Sequence, residues 1–304
     1  MTVDWVSVTV LGTAALGVVN ILDSHFISKR MPSLRAFLLP VGAIILACGL
    51  VLCYLFPLPE ELGTWPLVVA VASGVIRTIS ITILLYTLKT EEVSRVLPVV
   101  STYPIFVAIM AMPLLGETLG YLQWLAIIIV VAGAVMVSVR RSPGGSTSWL
   151  GKTFFLLFGS SLLMSMADVA SKYALAYISF WNMYWISALC MAGIFLLVSL
   201  RPHIVKELGN MSERSSAMGL LVFNETLAVT GILLVFWAME RGPVSLISTI
   251  TSGRSLFVLI YALILGRVWP RFLLEGQSGR GALALRLIAT AMIVGGITII
   301  YLAQ

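Results

Sequence analysis

Residues 7–56 read "SVTVLGTAALGVVNILDSHFISKRMPSLRAFLLPVGAIILACGLVLCYLF", and this stretch sets the fold class. It holds two apolar runs of about 20 residues, the length that an α-helix needs to cross a bilayer. Over the whole chain of 304 residues, 60% are hydrophobic, only 11% are charged, and the mean hydropathy is +1.05. A soluble domain carries about a quarter charged residues. The sequence therefore predicts an integral, multi-pass protein of the lipid bilayer.

Apolar runs of this length recur ten times along the chain. They lie at residues 5–27, 34–56, 66–88, 93–115, 119–139, 152–176, 180–200, 216–239, 243–266 and 283–302. The runs are continuous, whereas a membrane β-barrel would show short segments of alternating polarity. An all-α fold with ten transmembrane helices is predicted.

The chain divides into two halves of five predicted helices. The most linker-like stretch, residues 142–149, separates a first half at 1–141 from a second at 150–304. At a shift of 150 residues, the hydropathy of 86–117 stays in step with that of 236–267. Because five is odd, the second half enters the membrane from the opposite side. Two inverted five-helix repeats around a central cavity are therefore predicted, an arrangement common among secondary transporters.

Basic residues are distributed unequally between the two sides of the predicted bundle. One side carries 15 of the 19 Lys and Arg residues. They are Lys29, Arg30, Arg35, Lys89, Arg95, Arg140, Arg141, Lys152, Arg201, Lys206, Arg214, Arg267, Arg271, Arg280 and Arg286. The positive-inside rule places this side in the cytoplasm and both termini outside it. Membrane topology thus accounts for the net charge of +6, and no nucleic-acid partner is predicted.

Three charges stand alone inside apolar runs: Arg77, Glu225 and Arg254. Each would cost about 2.5–3.5 kcal/mol facing lipid, so they are expected to face protein or a watery cavity. Either arginine offers a forked donor for a carboxylate or phosphate of a substrate, or a structural ion pair, such as Arg254 with Glu225. Glu225 is a candidate for binding a substrate amine, for carrying a proton, or for pairing with an arginine.

Further polar residues lie within or beside the predicted spans. Asp168 and Lys172 are four residues apart on one helix, so they either join the substrate site or pair with each other. Asp23, near the end of the first helix, is a candidate with Glu225 for proton coupling, unless it is simply hydrated. Asn224 is predicted to form a helix–helix hydrogen bond rather than to contact a ligand.

Several kinds of site are missing from the sequence. It contains no GxxxxGK[ST], HExxH or GxSxG pattern, which argues against an ATP-driven pump and against the familiar hydrolase sites. Its three cysteines, Cys48, Cys53 and Cys190, lie in apolar runs without metal-ligand spacing. No cofactor, no metal and no enzymatic activity are predicted.

The stretch "TYPIFVAIMAMPLLGETLGYLQWLAIIIVVAG", residues 102–133, resembles the end of an EamA-type domain of the drug/metabolite transporter (DMT) superfamily. The residues that carry the resemblance are Pro104, Gly116, Glu117, Gln123 and Gly133. In the second half the pattern departs from the family, because Arg254 replaces the proline and Gly266 is followed by Arg267. The Gly-Glu pair is interpreted as a structural signature in which Glu117 caps the fifth helix.

The resemblance implies secondary transport of small metabolites, and the predicted location is a prokaryotic cell (inner) membrane. It also implies that helices one, three, four, six, eight and nine line the cavity, with five and ten behind them. Similar family members keep their termini in the cytoplasm, which conflicts with the charge distribution.

The sequence therefore predicts a permease that moves a small polar or amphipathic metabolite by alternating access. The alternatives are a lipid or lipid-linked-sugar flippase on the same scaffold and, less favoured, a membrane enzyme acting on a lipid phosphate. Whether the chain works alone or as a homodimer stays open.

Overall fold

The structure, a computed structural model, describes residues 4–90, 96, 99–138, 152–209, 214–268 and 280–303. These ranges are helical and contain no strand. The helices are α1 (Trp5–His25, continued by a π-helical turn, Phe26–Arg30), α2 (Leu34–Leu55), α3 (Thr64–Thr90), α4 (Tyr103–Leu115), α5 (Tyr121–Ser138), α6 (Lys152–Ala174), α7 (Phe180–Ser199), α8 (Pro202–Gly209), α9 (Arg214–Arg241), α10 (Val244–Ser252), α11 (Arg254–Val268) and α12 (Arg280–Leu302). The predicted linker at 142–149 lies outside the described residues.

Seven helical segments of the described chain are long and apolar enough to cross a membrane. They are α1, α2, α3, α6, α7, α9 and the consecutive pair α10–α11. Three further apolar segments, in α4, α5 and α12, are shorter. The all-helical, multi-pass fold is thus confirmed, while ten crossings remain a prediction. The short helix α8 was not predicted; it buries Ile204 and Leu208.

Two predicted runs are interrupted rather than continuous. The run at 243–266 breaks at Gly253, whose N–H donates to the carbonyl of Ile250 at 3.0 Å, and α11 starts at the next residue. The run at 93–115 turns at residues 101–102 before α4 begins. There Pro104 lies in the first turn of α4, where its missing N–H is tolerated, and its lack of a donor prevents the preceding helix from continuing through it. The two breaks fall at nearly the same place when the halves are aligned at the shift of 150.

The helices pack most extensively in four pairs: α3 with α6, α2 with α7, α5 with α12, and α1 with α9. This set of pairs is unchanged when the first and second halves are exchanged. Glycine permits close contact in the α1–α9 pair, because a Cβ on Gly12 would lie 3.0 Å from the carbonyl oxygen of Gly231. In the α5–α12 pair the corresponding glycines are Gly133 and Gly296.

Candidate functional site

A row of polar side chains joins α3 to α6, and we call it the polar seam. Its members are Ser73, Arg77 and Ser80 on α3 and Ser160, Asp168 and Ser171 on α6. Ser80 Oγ donates to the carbonyl of Ser160 at 2.8 Å, and Ser160 Oγ donates back to the carbonyl of Ser80 at 3.0 Å. Arg77 Nη2 donates to Ser171 Oγ at 2.9 Å. The spacing of these residues keeps them on one face of each helix, where they satisfy one another away from lipid.

The centre of the polar seam is a buried ion pair. Arg77 Nη1 lies 2.9 Å from Asp168 Oδ1, and the two side chains are 11% and 2% exposed. The guanidinium also lies over the ring of Phe236, with its carbon 5.3 Å from the ring centroid. Asp168 therefore pairs across the helix interface with Arg77, and the alternative pairing with Lys172 along its own helix is wrong.

Lys172 binds the end of another helix instead. Its Nζ donates to the carbonyls of Met239 at 2.6 Å and Gly242 at 2.9 Å, where α9 ends. The last carbonyls of a helix lack partners within the helix and carry partial negative charge, which a lysine satisfies. This contact draws the ammonium away from Asp168 on the preceding turn.

Glu117 caps a helix, but not the predicted one. Its carboxylate accepts from the backbone N–H of Val244 at 2.6 Å and of Ser245 at 3.3 Å, at the start of α10 rather than α5. Another residue of the same signature, Gln123, donates through Nε2 to the carbonyl of Ala303 at 3.3 Å. The residues that carry the sequence resemblance thus attach the first half of the chain to the second.

A cavity of about 40 Å³ lies between α2, α3, α7 and α9. Its polar lining comprises Arg77, Tyr184, Ser187 and Glu225. The remaining lining is apolar and includes Phe236. In order of the predicted spans, helices two, three, seven and eight form the walls, which differs from the set that the resemblance implied. The polar seam accounts for part of this difference, because it closes the inner face of α6 against α3.

Glu225 lines this cavity and is 5% exposed. Asn224, which is fully buried, donates through Nδ2 to Asp23 Oδ1 at 2.8 Å and to Glu225 Oε1 at 3.4 Å. The predicted helix–helix hydrogen bond of Asn224 is thus confirmed between α9 and α1. Within the described residues no cation forms an ion pair with Glu225, so the predicted alternative of a pair with Arg254 is wrong.

Arg254 is the first residue of α11, directly after the break at Gly253. In the part of the chain that the structure describes, its guanidinium forms neither a hydrogen bond nor an ion pair. It interacts electrostatically with Asp168 and Tyr103, and the hydroxyl of Tyr103 donates to the carbonyl of Ser248 at 3.2 Å. Arg254 therefore lies beside the polar seam but does not line the cavity.

The structure brings some predicted residues together and separates others. Arg77 and Glu225 both line the cavity, and Asp168 forms an ion pair with Arg77. Lys172 instead donates hydrogen bonds to the carbonyls at the end of α9. Sequence reasoning missed Tyr184 and Ser187, because a tyrosine and a serine in an apolar run carry little signal; Ser187 Oγ is buried and has no hydrogen-bond partner among the described residues.

Known proteins resemble this chain both in sequence and in fold. The model of the EamA-like transporter family matches residues 4–139. No curated protein matches the sequence. Among 29 matching chains of solved structures, one crystal structure is 19% identical and superposes with a TM-score of 0.71. The match covers 98% of this chain and 97% of that chain, so the likeness in fold extends over both halves.

Proposed function

The model of the EamA-like transporter family matches residues 4–139, and from this premise we propose that the chain is a transporter of that family that carries a small amphipathic amine across the membrane by alternating access. The observation that carries the proposal is that only one of the two charged residues in the cavity has a partner of opposite charge among the described residues. Arg77 is neutralised by Asp168, whereas Glu225 has no cationic partner in the described residues. A buried carboxylate without a counter-ion is costly, and a substrate ammonium supplies one.

The rest of the cavity lining is chemically suited to the apolar body of such a molecule. Phe236 and Met191 line it together with small aliphatic side chains, and Tyr184 and Ser187 add hydroxyl groups. Binding sites of this kind combine a mostly apolar wall with a few polar groups that fix orientation. We assign no substrate contact to Arg254, because it lies outside the lining.

Alternating access requires that the two halves move against each other around the cavity. Two walls, α2 and α3, come from the first half, and two, α7 and α9, from the second. The proposed division at 1–141 and 150–304 into inverted repeats is supported by helix pairs that persist when the halves are exchanged. A volume of about 40 Å³ holds one or two water molecules, since one water occupies about 30 Å³. We therefore propose that this conformation is a closed one, in which the cavity is too small to admit the substrate.

A lipid flippase would need an opening towards the bilayer. The described surface does have an open groove of about 470 Å³ between α1 and α12, lined by Leu11 and Tyr301 among others. This groove shares no lining residue with the cavity. The arrangement therefore supports a carrier of small molecules.

The test is a thermal-shift panel on the purified protein with amines, organic cations, amino acids, organic acids and sugar phosphates. We expect amines to stabilise it, by about 2.7 kcal/mol at 100 times the dissociation constant. Glu225→Gln should abolish this stabilisation because it removes the counter-charge. Glu240→Gln, on the same helix but outside the cavity, should retain it. Stabilisation only by anions, lost in Arg254→Ala, would overturn the proposal.

A further inference from the structure

Asp23, Asn224 and Glu225 form one connected group, which we call the carboxyl pair with its bridging amide. Asp23 lies two residues before the end of α1, and Glu225 lines the cavity on α9. The amide of Asn224 reaches both carboxyls, at 2.8 Å and 3.4 Å. The group therefore extends from the end of α1 to the proposed substrate site.

The carboxyl pair has no counter-ion of its own in the described structure. Glu225 acts electrostatically on Cys48 of α2 and Tyr184 of α7, which are neutral groups. Arg77 of α3 faces the same cavity but is paired with Asp168. On α1, His25 lies two residues after Asp23 at the end of the same helix. Two negative charges that share one bridging amide would repel each other in a medium with little screening.

Asn224 also has an unused acceptor. Its Oδ1 is buried and accepts no hydrogen bond from any described residue, although its Nδ2 donates to both carboxyls. A carboxylate can only accept, whereas a protonated carboxyl also presents an O–H donor. A proton on either carboxyl would thus supply the donor that Oδ1 lacks. The amide suits both protonation states of the pair.

We propose that this carboxyl pair holds one proton when the site is empty and exchanges it for the substrate ammonium. The inference rests on the proposed function and names its coupling ion. When the amine binds Glu225, the proton leaves through Asp23, so one positive charge replaces another and the site keeps its charge. Asn224 is a positioning residue that holds the two carboxyls in one group. Transport is then an exchange of one protonated amine for one proton.

The first test measures proton release by the purified wild-type protein. A weakly buffered detergent solution with a pH indicator is titrated with 2-phenylethylamine hydrochloride. We expect about one proton released per amine bound, and none from Glu225→Gln. Binding of the amine without proton release would overturn the proposal while leaving the proposed function intact. Absence of amine binding would overturn both.

The second test separates coupling from transport in proteoliposomes. Exchange of radiolabelled 2-phenylethylamine against internal unlabelled amine needs no net proton movement, whereas accumulation driven by a pH gradient does. Asp23→Asn should keep exchange within about twofold of wild type but lower gradient-driven accumulation at least tenfold. Asp23→Glu should restore accumulation. Loss of exchange together with accumulation, or retention of both, would contradict a coupling role for Asp23.

Discussion

At the scale of single residues, the buried pair of Arg77 and Asp168 decides which charge the cavity offers. The pair neutralises the guanidinium, and Ser171 and Phe236 complete its surroundings. A buried ion pair adds little net stability, but removal of one partner leaves an uncompensated charge that costs about 3–5 kcal/mol.

We therefore expect Asp168→Asn to destabilise the protein by about 3 kcal/mol, because Arg77 is left unpaired. The double variant Arg77→Met/Asp168→Leu should recover most of this loss. Ser171→Ala, which removes a neutral hydrogen-bond acceptor of Arg77, should cost about 1 kcal/mol. Thermal unfolding in detergent measures all three. Equal melting temperatures for Asp168→Asn and wild type would contradict the pair.

The inward orientation of Arg77 and Glu225 could be predicted from the sequence, because lipid does not tolerate lone charges. Their partners could not. Which side chains meet depends on the faces that α3, α6 and α9 turn to each other, and hydropathy does not encode those faces. The spacing of Asp168 and Lys172 favoured a local pair, yet each found a partner on a different helix.

At the scale of elements, the turn between α9 and α10 is held by two side chains from other parts of the chain. Lys172 satisfies carbonyls where α9 ends, and Glu117 satisfies N–H groups where α10 begins. Both come from outside the helices that they cap. The turn between α9 and α10 is thus fixed by α6 and by the connection between α4 and α5.

Glu117→Ala should cost about 1–2 kcal/mol, the loss expected when a helix N-terminus loses its capping side chain. Glu60→Ala, in an exposed loop, is the matched control and should change stability by less than about 0.5 kcal/mol. Melting temperatures of the two variants measure the difference. A loss no greater for Glu117→Ala than for Glu60→Ala would show that the cap contributes nothing.

The sequence predicted most helices to within a few residues but missed the breaks. Apolar character continues through Gly253 and through residues 101–102, so a window that averages hydropathy passes over both. Gly253 lies at one break, and Pro104 follows the other by two residues. Whether such a residue kinks a helix or ends it depends on which neighbours satisfy the freed backbone groups.

At the scale of the whole molecule, the orientation in the membrane is open to a direct test. The unequal distribution of Lys and Arg places both termini outside the cytoplasm, whereas the family resemblance implies the reverse. In a background without Cys48, Cys53 and Cys190, Ala303→Cys should react with an impermeant maleimide in intact cells. His203→Cys, exposed at the opposite end of the bundle, should react only after lysis. The opposite pattern would restore the family topology.

The all-helical, multi-pass plan of the bundle was predictable because length and apolarity restrict it strongly. The helices that line the cavity were not. The polar seam occupies the inner face of α6, and α2 and α7 line the cavity in place of that helix. That outcome depends on hydrogen bonds between serines whose partners lie about 80–100 residues apart.

The burial of α10 has a consequence for how the protein is made. All nine residues of this helix are buried, and its span has a mean hydropathy of 1.4, the lowest of the seven. It packs on α1, α4 and α5, which the ribosome synthesises earlier. We expect α10 to enter the bilayer poorly as an isolated segment and to be retained there by helices already in place. The order of these helices along the chain is therefore also the order in which we expect them to assemble.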